Sequence, residues 1–186
     1  MFDRLEMRRA VIGTWRLAVQ RPDALSYFTC DTTGFWRSFA ALLICFPAHM
    51  LIMFRQGNPI PADLSPLSFV ISQFLIFVIL WAAFALVVER ILTAMDRRDR
   101  LFTYLVPYQW ANLPLTYLML LMTLVAGAAP ALTMVAMVCA VWTLFAIARA
   151  GLAISSLAAV AVVIGDIAFG QALILGFEWI GAALPR

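Results

Sequence analysis

The chain contains no lysine; all 13 of its basic residues are arginine. Charge of either sign is scarce, at 12% of 186 residues, where a soluble domain carries about 25%. A soluble fold of this length with 65% hydrophobic residues would have to hide nearly every side chain, and it lacks the volume to do so. Histidine occurs once, at His49, so no serine–histidine–carboxylate set is expected around it. There is no HExxH, no glycine-rich loop to cradle phosphate and no pair of close carboxylates. The three cysteines, Cys30, Cys45 and Cys139, lack metal-ligand spacing and each reads as a small buried hydrophobe. The first 35 residues lack the continuous apolar core of a cleaved signal peptide. No catalytic residue, cofactor or metal site is therefore expected.

What fills the chain is continuous apolar sequence, with a mean hydropathy of +0.96. Several runs exceed the roughly 20 residues that cross about 30 Å of hydrocarbon as a helix. Strands of a closed barrel would alternate apolar and polar residues, which these do not, so helices are expected. The fold class is an all-α polytopic membrane protein with about five transmembrane helices, preceded by a short amphipathic interfacial helix. Residues 1–36 form the amphipathic segment and 37–186 the bundle. The spans run approximately Arg37–Phe54, Pro66–Leu92, Leu101–Gly127, Pro130–Arg149 and Leu152–Gly181. Ala128–Ala129–Pro130 reads as a tight hairpin. If it is only a kink, four spans remain, one of them a long broken helix.

The arginines sort by side. Residues 1–37 hold six, the second-to-third connection holds Arg90, Arg97, Arg98 and Arg100, and Arg149 adds an eleventh. Opposite them stand Arg55 and Arg186 alone. Positive residues favour the cytoplasmic side, which predicts a cytoplasmic N-terminus and a C-terminus outside, periplasmic in a bacterial inner membrane. The net charge of +3 then serves topology and anionic headgroups, not nucleic acid, because no soluble domain presents it. The lipid bilayer is the first expected partner.

Ahead of the first span, "RLEMRRAVIGTWRLAVQRP" repeats Leu5, Ile12, Trp15 and Val19 near helical spacing, with Arg9, Arg16 and Gln20 on another face. This suits a helix lying in the headgroup interface, ended by Pro22. The alternative is an ordinary helix packed under the bundle. In the last span Ala158, Ala161, Gly165, Ala168, Ala172 and Gly176 recur every three or four residues, a seam that lets helix backbones approach in lipid. Packing within the bundle is the first use expected of it, and a homodimer contact the second.

Four spans each keep one polar residue at similar depth. Asp166 lies about 21 Å in from the cytoplasmic end, His49 about 18 Å and Asn112 about 16 Å, at about 1.5 Å per residue. Gln73, near the outer end of its span, falls about 20 Å from the inside of a core about 30 Å thick. Such groups either satisfy one another or line a hydrated path, and an intramembrane acid raises the functional question by itself. In "LVPYQWANLPLTY", Pro107 and Pro114 lie two turns apart and each frees a carbonyl one turn back, for which Gln109 and Asn112 are the nearest donors. Tyr104, Tyr108 and Trp110 are expected toward the cytoplasmic interface. Glu89, Arg90 and Glu178 stand at span ends, where they read as anchors.

The layout resembles the Yip-type (Ypt/Rab-interacting protein) membrane family and its bacterial relatives. "DTTGFW" keeps Asp31, Gly34 and, one place early, Trp36 of that family's motif before the first span. "PYQWANLP" keeps Tyr108 and Pro114 of its third span, with Pro107 where glycine is expected. "AVQRPDALSYF" is similar to the bacterial members' lead-in, and "VWTLFAIARAGLAISSLAAVAVVIGD" to their last hairpin. The resemblance implies five spans, a cytoplasmic N-terminus and an inner-membrane location. Without the intact motif it does not imply binding to a small GTPase. The resulting expectation is a non-catalytic membrane scaffold or adaptor, partnered by other membrane proteins or by a second copy. A small transporter or proton-coupled carrier using His49, Gln73, Asn112 and Asp166 is the alternative, and a lipid-acting membrane enzyme ranks third.

Overall fold

The computed structural model describes residues 4–57, 60, 65–125 and 130–183. Among them the chain is all-helical, with six α-helices: α1 Arg4–Ala18, α2 Thr32–Arg55, α3 Pro66–Ala94, α4 Leu101–Val125, α5 Pro130–Leu152 and α6 Ser156–Ala183. Four of these, α2, α3, α5 and α6, are long and apolar enough to cross a membrane. The expected hairpin at Ala128–Ala129, most of the external loop, the Glu178 side chain and Arg186 lie outside the described residues.

Neighbouring helices alternate in direction. Phe46 meets Phe74 and Phe77, and Phe54 meets Phe69, so α3 returns antiparallel to α2. Phe35 meets Phe102 while the Tyr117 hydroxyl donates to the Ile44 carbonyl, so α4 runs parallel to α2. The start of α4 touches the end of α5, where Thr103 Oγ1 donates to the Gly151 carbonyl at 2.9 Å. That contact makes α4 and α5 antiparallel partners rather than halves of one broken helix. Tyr108 meets Asp166, which sets α6 parallel to α4.

The helices begin and end for local reasons. Asp31 caps α2, its carboxylate accepting from the Gly34 N–H at 2.7 Å, so the helix starts five residues before the expected Arg37. Gly34 is there because space is lacking: a Cβ would stand 1.7 Å from the Thr29 carbonyl oxygen. Two residues that carry the family resemblance, Asp31 and Gly34, thus each have a geometric task at one helix start. Ser65 caps α3, accepting from the Ser68 N–H at 3.1 Å, with Pro66 at the first helical position. Gln20, Asp96 and Ala153 take positive φ of 55°, 56° and 51° just past α1, α3 and α5.

α1 settles between the two readings of its sequence. Ala10, Gly13, Thr14 and Leu17 are buried, and α1 packs on α4, α5 and the 3-10 turn Ala24–Tyr27. At Gly13 a Cβ would fall 2.6 Å from the Phe28 ring, so the turn lies hard against the helix. Leu5, Ile12, Trp15 and Val19 all face outward, Trp15 at 69% exposed. The helix is therefore packed on the bundle by its small residues and presents its apolar stripe away from it.

Around it the arginine-rich segments converge at one end of the bundle. Arg16 pairs with Asp23 at 3.2 Å, Arg98 with Glu89 at 3.0 Å and Arg37 with Glu6 at 3.6 Å. Arg97 donates to the Leu152 carbonyl at 3.1 Å, closing the end of α5, and Arg149 donates to the Gln20 side chain at 2.9 Å. These pairs are partly exposed, and each contributes on the order of 0–1 kcal/mol. Their value is placement, since they tie α1, α3 and α5 together at that end.

α4 departs from its expected character. Its 25 residues have the length to cross a bilayer, yet its first half is too polar to rank with the other four. The reason is position: Tyr104, Leu105, Val106, Pro107, Gln109, Trp110, Ala111 and Leu113 are all buried among α1, α2 and α5. Tyr104 and Trp110 are core residues, not interface anchors, and Tyr108 turns inward as well. The cysteines divide, with Cys45 buried, Cys30 partly covered and Cys139 exposed, so the buried role expected of all three fails at Cys139.

Candidate functional site

The polar side chains of α4 find different partners, although Gln109, Tyr108 and Asn112 all border one cavity. On the side toward α2, the Ser38 hydroxyl donates to Gln109 Oε1, and also lies 2.6 Å from the Phe35 carbonyl. Both residues are fully buried, so each hides its polar group in the other. The side-chain oxygen of Gln109 is thus satisfied across the α2–α4 interface. Asn112 differs from expectation. Its Nδ2 donates to the Tyr108 carbonyl at 3.0 Å, whereas Pro107 and Pro114 free the carbonyls of Thr103 and Trp110.

On the side toward α6, the Tyr108 hydroxyl lies 3.0 and 3.1 Å from the two carboxylate oxygens of Asp166. One proton shared between two acceptors leaves most of the carboxylate's capacity unused. Among the described residues no arginine pairs with it, and the ion pairs sit at the bundle's arginine-rich end. Asp166 opens instead onto a cavity of about 160 Å³ between α3, α4 and α6, lined also by Trp81, Phe84, Tyr108, Asn112 and Phe169. Phe84 stacks on Tyr108 at 4.3 Å and approaches Phe169 at 6.5 Å. Toward the arginine-rich end a second cavity, about 340 Å³ and walled by Val87, Ile91, Gly165 and their neighbours, meets the first at Phe84, Asp166 and Phe169.

Of the four expected cluster residues, only Asn112 and Asp166 share a site. His49 stacks on Phe77 at 5.0 Å, between α2 and α3, and neither it nor Gln73 lines the Asp166 cavity. Sequence reading missed Tyr108 as the acid's partner, since its ring was assigned to the interface, and it passed over Ser38, Trp81, Phe84 and Phe169. The signal available for Tyr108 was depth: it stands seven residues into α4 and Asp166 ten into the parallel α6.

The small-residue seam is also relocated. The buried face of α6 is carried by Ala159 and Val163, while Ala161, Gly165, Ala168 and Ala172 are exposed. A Cβ added at Gly165 or Gly176 would meet nothing within 4 Å. Most of the seam is left out of close packing inside this chain, with Ala158 and Gly176 half-covered and Ala161 and Gly165 lining the larger cavity. Among the described residues no group of three or more histidine, cysteine or acidic side chains is placed to hold a metal. No family model, curated protein or solved structure matches the chain.

Proposed function

We propose that this chain is a non-catalytic membrane scaffold, a subunit of a larger assembly in a bacterial inner membrane with its arginine-rich end in the cytoplasm. One observation carries the reading: α6 leaves Ala168 and Ala172 of its alanine and glycine seam exposed, lining neither cavity of its own bundle. Helices in lipid gain little from burying apolar surface, so close backbone approach over small residues is a main source of association. A seam of this kind also complements itself, which makes a second copy the simplest companion and another subunit's helix the next.

The test is extraction in a mild detergent followed by mass determination of the intact complex. A stoichiometric companion, a second copy or another chain, is expected with the native protein and should be lost in Ala168→Leu/Ala172→Leu. A lone protomer extracted from its native membrane would overturn the proposal. The carrier reading keeps one observation in its favour, the cavity at Asp166. The separation of His49 and Gln73 from that cavity weighs against a continuous path, and flux into liposomes holding this chain alone would test it.

A further inference from the structure

We infer that the cleft between α3, α4 and α6 binds a lipophilic cation, a protonated or quaternary amine carrying apolar substituents. The floor of the cleft is a carboxylate whose one protein partner among the described residues is the Tyr108 hydroxyl. Its walls are the rings of Trp81, Phe84, Tyr108 and Phe169. A carboxylate set in an aromatic box is the chemistry that recognises ammonium groups, because ring faces attract a cation that hydrogen-bond acceptors alone would leave partly desolvated. Asn112 lines the same cavity, and its side-chain amide is tied to the Tyr108 carbonyl, which holds it in place. The adjoining cavity of about 340 Å³ is apolar apart from Asp166 and Tyr104 at its edge, which suits alkyl or aryl substituents and leaves an inorganic cation short of ligands.

Other occupants fit less well. Phe84 and Phe169 approach to 6.5 Å across the cleft and divide it in two, which leaves no slot for a helix about 10 Å wide. A second copy brings no suitable cation, because its described arginines lie at the bundle ends and its His49 is stacked on Phe77. An anion would meet Asp166 unfavourably. The site meets the α6 seam only at Ala161 and Gly165, which line the larger cavity, whereas Ala168 and Ala172 line neither.

The probe is benzyltrimethylammonium, titrated by calorimetry and by tryptophan fluorescence into full-length protein in nanodiscs of zwitterionic lipid. Zwitterionic lipid keeps the membrane surface from collecting the cation. One saturable site per chain is expected, with the neutral isostere 2,2-dimethylpropylbenzene at least tenfold weaker. Asp166→Asn keeps the size of the side chain and its place beside Tyr108, and should weaken the cation at least tenfold while leaving the neutral compound unchanged. Trp81→Leu, on a helix with little burial and small risk to folding, should weaken the cation severalfold and serves if Asp166→Asn does not fold. Absence of saturable binding, equal binding of the neutral compound, or full affinity in Asp166→Asn or Trp81→Leu would overturn the assignment.

Discussion

Gly151 sits near the end of α5 where that helix crosses the start of α4. A Cβ built there would stand 2.6 Å from the Thr103 carbonyl oxygen and 3.0 Å from the Tyr104 Cα, both backbone atoms that cannot rotate away. Ordinary contact begins near 3.4 Å, so Gly151→Ala requires the two helices to part by roughly 0.8 Å locally. A gap of about 0.5–1 Å forfeits a quarter to a half of each dispersion contact across it. The contacts at risk are those of Ile147, Ala148 and Leu105, all essentially inaccessible, and the Thr103 hydroxyl bond to the Gly151 carbonyl. Overpacking of this kind costs about 1–3 kcal/mol, against which alanine recovers up to about 1 kcal/mol of helix propensity. The net expectation is a loss of about 1–2 kcal/mol. Gly170→Ala supplies the control, since its Cβ would meet nothing within 4 Å and only the propensity gain remains. Reversible unfolding in mixed detergent micelles, followed by tryptophan fluorescence, should order the three proteins Gly170→Ala, wild type, Gly151→Ala. A Gly151→Ala protein as stable as Gly170→Ala would refute the close α4–α5 crossing.

Ser38→Ala should cost about 1–2 kcal/mol, because it leaves the buried Gln109 oxygen without its donor, whereas Ser38→Ala/Gln109→Leu should recover much of that; additive single effects in the cycle would refute the pairing. Asp31→Ala should lose about 1 kcal/mol through the α2 cap and Asp31→Asn very little, read from the same unfolding midpoints. Burial, and then the Asp31 carboxylate, pushes the Cys30 thiol up to about 11. Since the thiolate is the reacting form, alkylation of Cys30 in a Cys45→Ser/Cys139→Ser background should be slow at pH 8 and still rising above pH 9. The folded state holds a proton that the unfolded thiol releases from its ordinary value of 9.0 upward, so this group's contribution is intact below about pH 9 and lost between there and about pH 11. An alkylation rate that levels off near pH 9 would contradict the burial.

Helix count and order were legible because hydropathy and arginine report directly on lipid. The starts of α3 and α5 were readable for a related reason, since Pro66 and Pro130 each stand at a first helical position. The start of α2 was set too late because Asp31 and Gly34 do their work through a carboxylate and a missing Cβ, which carry no hydropathy. The candidate site was half legible. Asp166 and Asn112 declared themselves as polar groups in an apolar run. Their companions Tyr108, Phe84 and Phe169 are residues that any span holds, and only the rotation of each helix about its axis brings them together. The same rotation turned most of the α6 seam outward, as small residues mark a close approach without saying which neighbour makes it.

The least buried of these helices is also the most apolar, the reverse of a soluble bundle. The most apolar helix, α3, reaches a mean hydropathy of 2.6 over its most apolar 18-residue window, and only Phe69, Ala85 and Leu92 of its 29 residues are buried. In α2 that value falls to 1.7 with a third of the window buried. α4, packed between α2 and α5, is too polar to rank with them at all. Lipid explains the gradient. Every outward position must avoid unpaired polar atoms, since hydrocarbon offers them no partner, while an inward position can hold Ser38, Gln109, Tyr108 or Asn112 so long as a neighbouring helix answers it. The prolines of α4 follow the same logic. A helix walled by three others can bend at Pro107 and Pro114, because the carbonyls they release face protein and not acyl chains. Asp166 stands at the edge of this regime, answered by one hydroxyl from the central helix and open to a cavity on its other side. A carboxylate left half-answered at that boundary is where a ligand can supply what the bundle does not.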